Sequence, residues 1–178
     1  INNESFTSLD PMVNARILAA AIKKEQFDLI LAGLQTDDYG SAQTGVILAE
    51  ILQVPHATIV MEIQAQNGGI KVKRELESGW FQWVEMPLPA LLTIQSGINQ
   101  IRYATIKGIM MAKKKEIKAP NLSDLGLTES DVSQEARGVQ FNQIYIPAKT
   151  KQTEIFEGEP KEIAQKLAEK LKNEAKVF

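Results

Sequence analysis

The sequence predicts an α/β fold: a mainly parallel sheet flanked by helices, with an antiparallel β addition and a C-terminal arm. Three observations carry the prediction. A helical apolar pattern runs directly into an unbroken apolar strand near residues 27–33; a polar loop then leads from that strand into a second helix; and Asn67-Gly68-Gly69 joins two further β-prone runs.

Asp10-Pro11 opens the first helix, a capping residue followed by the proline favoured at the first helical position, and Val13, Ile17, Ala20 and Ala21 recur at helical spacing. FDLILAG, closed by Gly33, reads as a parallel strand buried on both faces. LQTDDYGSAQTG is polar and rich in small residues, and VILAEILQ restores the helical period until Pro55 stops it. HATIVMEIQ is the next strand; Asn67-Gly68-Gly69 accepts the positive φ of a tight turn, and IKVKREL alternates as a half-exposed partner should. A turn at Glu77-Ser78-Gly79 precedes the aromatic run WFQWVEM, and LPALLTI reads as a strand entered through Pro87 and Pro89 near a sheet edge.

From Ala119 the chain turns polar. Its sparse hydrophobics, Leu122, Leu125, Leu127, Tyr145 and Ile146, are too few to fold alone and are expected to lie on a partner, and EPKEIAQKLAEKLKNEAKVF closes as an amphipathic helix. The expected organisation is an α/β domain over 1–118 and an extended arm over 119–178. The chain starts at Ile1 without methionine or an opening strand, so an upstream portion of the first domain is expected to be missing.

With 44% apolar residues, these 178 residues can bury a core without disulfides or metals. Twenty basic against 22 acidic residues leave a net charge of −2, so no global field recruits nucleic acid and the Lys113–Lys115 run acts locally. The absence of cysteine excludes thiol nucleophiles and cysteine metal sites, and one histidine makes no histidine cluster. No metal site and no catalytic residue is expected. No apolar run approaches the ~20 residues of a membrane span and no signal peptide precedes the first polar residues, which points to the cytoplasm, or the mitochondrial matrix in a eukaryote.

The loop after Gly33 is the strongest ligand candidate, because open α/β sheets bind ligands beyond the carboxyl ends of their strands. Gly33 admits a ligand to the backbone, and Ser41, Gln43 and Thr44 stand where hydroxyls, amides and free N–H donors gather at a helix N-terminus, a setting that favours phosphate. The Gly-Lys-Ser/Thr element of a triphosphate loop is missing, and Asp37 and Asp38 would repel extra phosphates, so a monophosphate nucleotide fits best. The competing reading makes Thr44 an N-cap and Gly45 a packing residue, with Asp37 and Asp38 solvated turn formers. His56 reads as structural. Trp80, Phe81 and Trp83 suit a protein interface better than a base-stacking platform, and Arg74-Glu75 is either an ion pair or a point of partner contact.

GLQTDDYGSAQTG, VKRELESG, LPALLTI and NQIRYATIKGIMMAKKKEI, in that order, resemble the β subunit of electron transfer flavoprotein. The resemblance implies a Rossmann-like, adenine-nucleotide-binding subunit of a heterodimer, an electron carrier rather than an enzyme. Such carriers take electrons from flavin-dependent dehydrogenases and pass them to a downstream acceptor, through FAD held mainly by the α subunit. It implies a structural AMP on Gly33, Leu34, Gln35, Thr36, Asp37, Asp38, Tyr39, Gly40, Ser41, Ala42, Gln43 and Thr44. It further implies a dehydrogenase-docking segment in which Ile106 inserts, with Arg102, Tyr103, Met110, Lys113, Lys114 and Lys115 around it, and a subunit-interface role for Glu75. Met111 stands where some relatives have lysine, and the loop's Thr44 and Val46 depart from relatives that hold a second, redox-active FAD in place of AMP. That bifurcating type is the first alternative; a stand-alone nucleotide-binding module of the universal-stress type is the second. Neither nucleic acid nor membrane insertion is expected.

Overall fold

The computed structural model describes residues 10–140, 142–149 and 153–177. Two compact units divide it, residues 1–140 and 141–178. The first begins with α1 (Pro11–Ile22), whose N-cap Asp10 accepts hydrogen bonds from the N–H groups of Met12 and Val13 at 2.9 and 3.0 Å. Such a cap is worth about 1 kcal/mol. Strand β1 (Leu29–Gly33), helix α2 (Thr44–Leu52) and strand β2 (His56–Gln66) follow, then β3 (Gly69–Glu75), β4 (Phe81–Pro87), β5 (Ala90–Ile94) and the short helix α3 (Ile106–Ala112).

The five strands form one sheet in the order β1-β5-β2-β3-β4. β1, β5 and β2 are parallel; β3 and β4 extend the sheet antiparallel. Asn67 and Gly68 make the two-residue turn of the β2–β3 hairpin, closing on the Gln66–Gly69 pair, with Gly68 at φ 78°.

LPALLTI lies at the centre of the parallel strands, not at an edge. Both prolines precede Ala90, so the ladder loses no N–H donor, and Ala90, Leu91, Leu92 and Thr93 are buried. β1 takes the edge position instead, and Leu31 is 59% exposed, so the strand is not covered on both faces. An apolar run reports burial in general; the order of strands depends on partners distant in sequence.

Alternate residues of β5 feed opposite cores. Leu91 packs with Ala15 and Ala19 of α1 and Leu48 and Ala49 of α2, all on one face. Ala90 and Leu92 pack with Val60, Ile70, Val72 and Met86 on the other. Each fully buried aliphatic side chain contributes roughly 1.5–3 kcal/mol.

The outer side of α1 is covered by the chain itself. Leu122, Leu125 and Val132, carried on short 3-10 turns (Ser123–Leu125 and Glu129–Val132), bury against Val13 and Ile17, with Leu127 packed alongside. These leucines therefore find their apolar partner within the chain, while Tyr145 and Ile146 are exposed. Asp10 also accepts from Val139 N–H at 3.0 Å, and Arg16 donates to the Ala136 carbonyl at 3.0 Å.

In the second unit, α4 (Pro160–Asn173) is amphipathic, with no residue buried. Lys170 pairs with Glu154 and, at 3.4 Å, with Glu174.

Candidate functional site

Residues 34–43 span from the carboxyl end of β1 to α2. Thr36 O accepts from Gly40 N–H at 2.9 Å, and Asp38 Oδ1 accepts from the Tyr39 N–H at 2.9 Å, so the aspartates sit in an exposed turn. The Thr36 side chain and then the Tyr39 N–H bond the Asp38 carboxylate, which lowers its pKa from the ordinary value. Gly40 and Ala42 both adopt positive φ, 58° and 52°. Two left-handed residues so close together bring the chain back toward the helix.

Thr44 is not the cap of α2: Gln43 holds the N-cap position and makes no side-chain cap bond, and Thr44 is the first helical residue. No acidic side chain stands in the first turn. The opening N–H groups of α2 thus lack a capping side chain, and the positive end of the helix dipole meets the loop. Gly33 has open space where a Cβ would stand. At Gly45 a Cβ would lie 2.5 Å from Cγ2 of buried Thr93, so the first turn of α2 rests directly on β5. The donor set suits an anionic phosphate.

The same end of the sheet gathers Arg74 and Glu75, which the sequence singles out, with Thr58, Thr93 and Gln95, which it does not. Thr93 Oγ1 accepts from Ile59 N–H at 3.3 Å, and Ile59 has φ 57° at an irregularity in β2. Arg74 donates through an Nη to Thr58 Oγ1 at 2.9 Å, while its Nε is buried and unpartnered among the described residues. Gln95 donates its side-chain amide to Glu75 at 3.3 Å and its backbone N–H to the Val60 carbonyl at 3.0 Å. Arg74 and Glu75 thus bond to different partners rather than to each other. Since Gly33 pairs with Ile94, the loop's start, Gln95 and Glu75 share one neighbourhood at the carboxyl ends of β1 and β5. None of Thr58, Thr93 or Gln95 belongs to a local motif; only the β2 irregularity and the sheet register unite them.

The basic segment is separate from this cluster in sequence and is built around α3. Thr105 caps it by accepting from Gly108 N–H at 3.1 Å. None of its residues is buried: Ile106 is 81% exposed, and Ile109, Met110 and Met111 are exposed beside it. Arg102 and Tyr103 precede the helix, and Lys113, Lys114 and Lys115 follow it, all exposed. An apolar stripe with a cationic end is therefore presented to solvent.

On β4, the exposed rings of Phe81 and Trp83 lie under Lys73 and Lys71, the nitrogens 4.1 and 5.6 Å from the ring centroids, and Lys71 also pairs with Glu85 at 3.2 Å. His56 opens β2 at an exposed position. Among the described residues, no His, Cys, Asp or Glu cluster is placed to hold a metal, and no helix is long and apolar enough to cross a membrane.

A family described as the electron transfer flavoprotein domain matches residues 1–125. The chain is 42% identical over 160 residues to the electron transfer flavoprotein subunit beta of Methylophilus methylotrophus, covering 89% of this chain and 60% of that protein. It is 34% identical to the Bacillus subtilis subunit beta, covering 92% and 62%, and 38% identical to the human one, covering 67% and 46%. The chain spans about three fifths of the length of the two bacterial relatives.

Proposed function

The chain belongs to the electron transfer flavoprotein family, alongside its β subunits, and on that premise we propose that it serves a heterodimeric electron carrier as the β subunit. In this reading it holds AMP in the loop Gly33–Thr44, docks flavin-dependent dehydrogenases through Arg102–Ile117, and meets the α subunit through the arm over 119–178, by its exposed residues such as Tyr145 and Ile146, while Leu122 and Leu125 stay packed on α1. The carrier makes no bond of its own. FAD, held mainly by the α subunit, supplies reversible uptake and release of electrons when bound.

The observation that carries this reading is α3, a capped helix with every residue accessible and an isoleucine at its tip. A soluble fold gains nothing from leaving Ile106, Ile109 and Met110 in water unless a partner covers them. One apolar anchor gives a hot spot; the lysines after the helix speed encounter without adding much affinity, as a short-lived complex needs.

At the nucleotide loop, the uncapped start of α2 supports a bound phosphate, and Gly33 leaves room for the ligand against the backbone. Asp37 and Asp38 disfavour further phosphates, which supports a monophosphate. Arg74 and Glu75, fixed by Thr58 and Gln95, offer one cation and one anion to a neighbouring domain.

Replacing Ile106 with alanine tests the docking role. The expected result is a rise in KM for the dehydrogenase of roughly tenfold, the size of a lost hot spot, at unchanged thermal stability. Unchanged KM with every dehydrogenase that reduces the parent carrier refutes the assignment.

A further inference from the structure

We propose that Met110 is an oxidation-sensitive site on the docking helix, its conversion to the sulfoxide releasing the carrier from its dehydrogenase. The proposal rests on the reading of α3 as the docking element.

The chain has no cysteine and five methionines, so thioethers are the sulfur available to a peroxide. They are unequally placed. Met86 is buried and Met12 and Met61 are partly covered, whereas Met110 and Met111 are 62% and 59% exposed. Accessibility governs thioether oxidation, so the reaction is directed to the two that share α3.

Their positions on the helix differ. Met110 lies one turn beyond Ile106 and adjoins Ile109, which sets it on the anchor's face. Met111 is turned by about 100° and follows Lys107 by four residues. A pocket that accepts Ile106 therefore also covers Met110, while Met111 sits toward the cationic flank.

The chemistry is balanced with hydrogen peroxide as the oxidant. The sulfur lone pair attacks one peroxide oxygen, the O–O bond breaks, an S–O bond forms, and the second oxygen leaves as water after proton transfer. The thioether loses two electrons and the peroxide gains them. Reduced flavins hand electrons to dioxygen and release peroxide, so a flavin-based electron chain can itself supply this oxidant. The sulfoxide is polar and accepts hydrogen bonds; buried in an apolar pocket it forfeits its hydration.

The test uses the intact heterodimer, a flavin-dependent dehydrogenase that reduces it, and peptide mass spectrometry after graded hydrogen peroxide. Oxygen is expected first on Met110 and Met111, with KM for the carrier rising roughly five- to tenfold, as for loss of one apolar contact. Methionine sulfoxide reductases should restore it. A Met110→Leu variant should lose this response relative to its own untreated KM, while Met111→Leu should keep most of it. Oxidation of Met110 that leaves KM unmoved, or oxidation falling first on Met12, Met61 or Met86, overturns the proposal. An Ile106→Ala variant separates the levels: if its KM is raised but oxidation does nothing, only the switch fails; if its KM is unchanged, the docking reading fails and takes the switch with it.

Discussion

Asp10 performs two tasks with one buried carboxylate: it caps α1 and it holds the Val139 N–H from a segment 129 residues away. Burial alone would raise its pKa, but the N–H groups of Val13, Val139, Gly138 and Met12 outweigh that effect and hold it below the ordinary value. A carboxyl lowered in the folded chain contributes stability above the unfolded value of about 3.9, and the contribution is lost as pH falls through the folded value. Asp10→Ala should therefore cost roughly 1–2 kcal/mol at neutral pH, with the gap to the parent closing below about pH 4 in urea titrations. A gap independent of pH contradicts this account. The cap was legible in Asp10-Pro11 because it is local; the bond to Val139 was not, because nothing in sequence pairs such distant positions. Two glycines make a second residue-scale contrast. Gly45→Ala forces a Cβ against Thr93 and should destabilise by about 1–3 kcal/mol, whereas Gly33→Ala meets open space, should leave stability within about 0.5 kcal/mol, and should lower nucleotide retention.

At the scale of elements, local chemistry announced the helices and the hairpin, and long-range pairing hid the rest. Pro11, Gly33, Pro55 and Asn67-Gly68 mark boundaries that the structure keeps. The prolines before β5 suggested an edge, yet they lie outside its ladder, and the strand's central place depends on β1 and β2 flanking it. Helix α3 escaped sequence reading because seven residues are too few for the Ile106, Ile109 and Met110 spacing to establish a helical period, and none of them is buried. Replacing Lys113, Lys114 and Lys115 with glutamine should slow association with the dehydrogenase at low salt, and the difference should vanish near 1 M salt, where screening reaches within about 3 Å. Stopped-flow mixing across ionic strength measures it; a deficit that persists at high salt assigns the lysines to contact rather than steering.

At the scale of the whole molecule, the proposed function divides the work between two places: the uncapped start of α2 at one end of the sheet is assigned the phosphate, and the exposed α3, a separate element, the protein partner. The loop's candidacy was legible because strand, polar loop and helix follow one another in the chain. Thr93 and Gln95 beside it were not, since the sheet register alone brings them there. The role as an AMP-holding carrier subunit is tested most directly by the nucleotides released on denaturing the purified heterodimer, identified by chromatography and absorbance. One AMP and one FAD per heterodimer is the predicted result. Two FAD and no AMP would contradict it, and would assign the Gly33–Thr44 loop to a second, redox-active flavin.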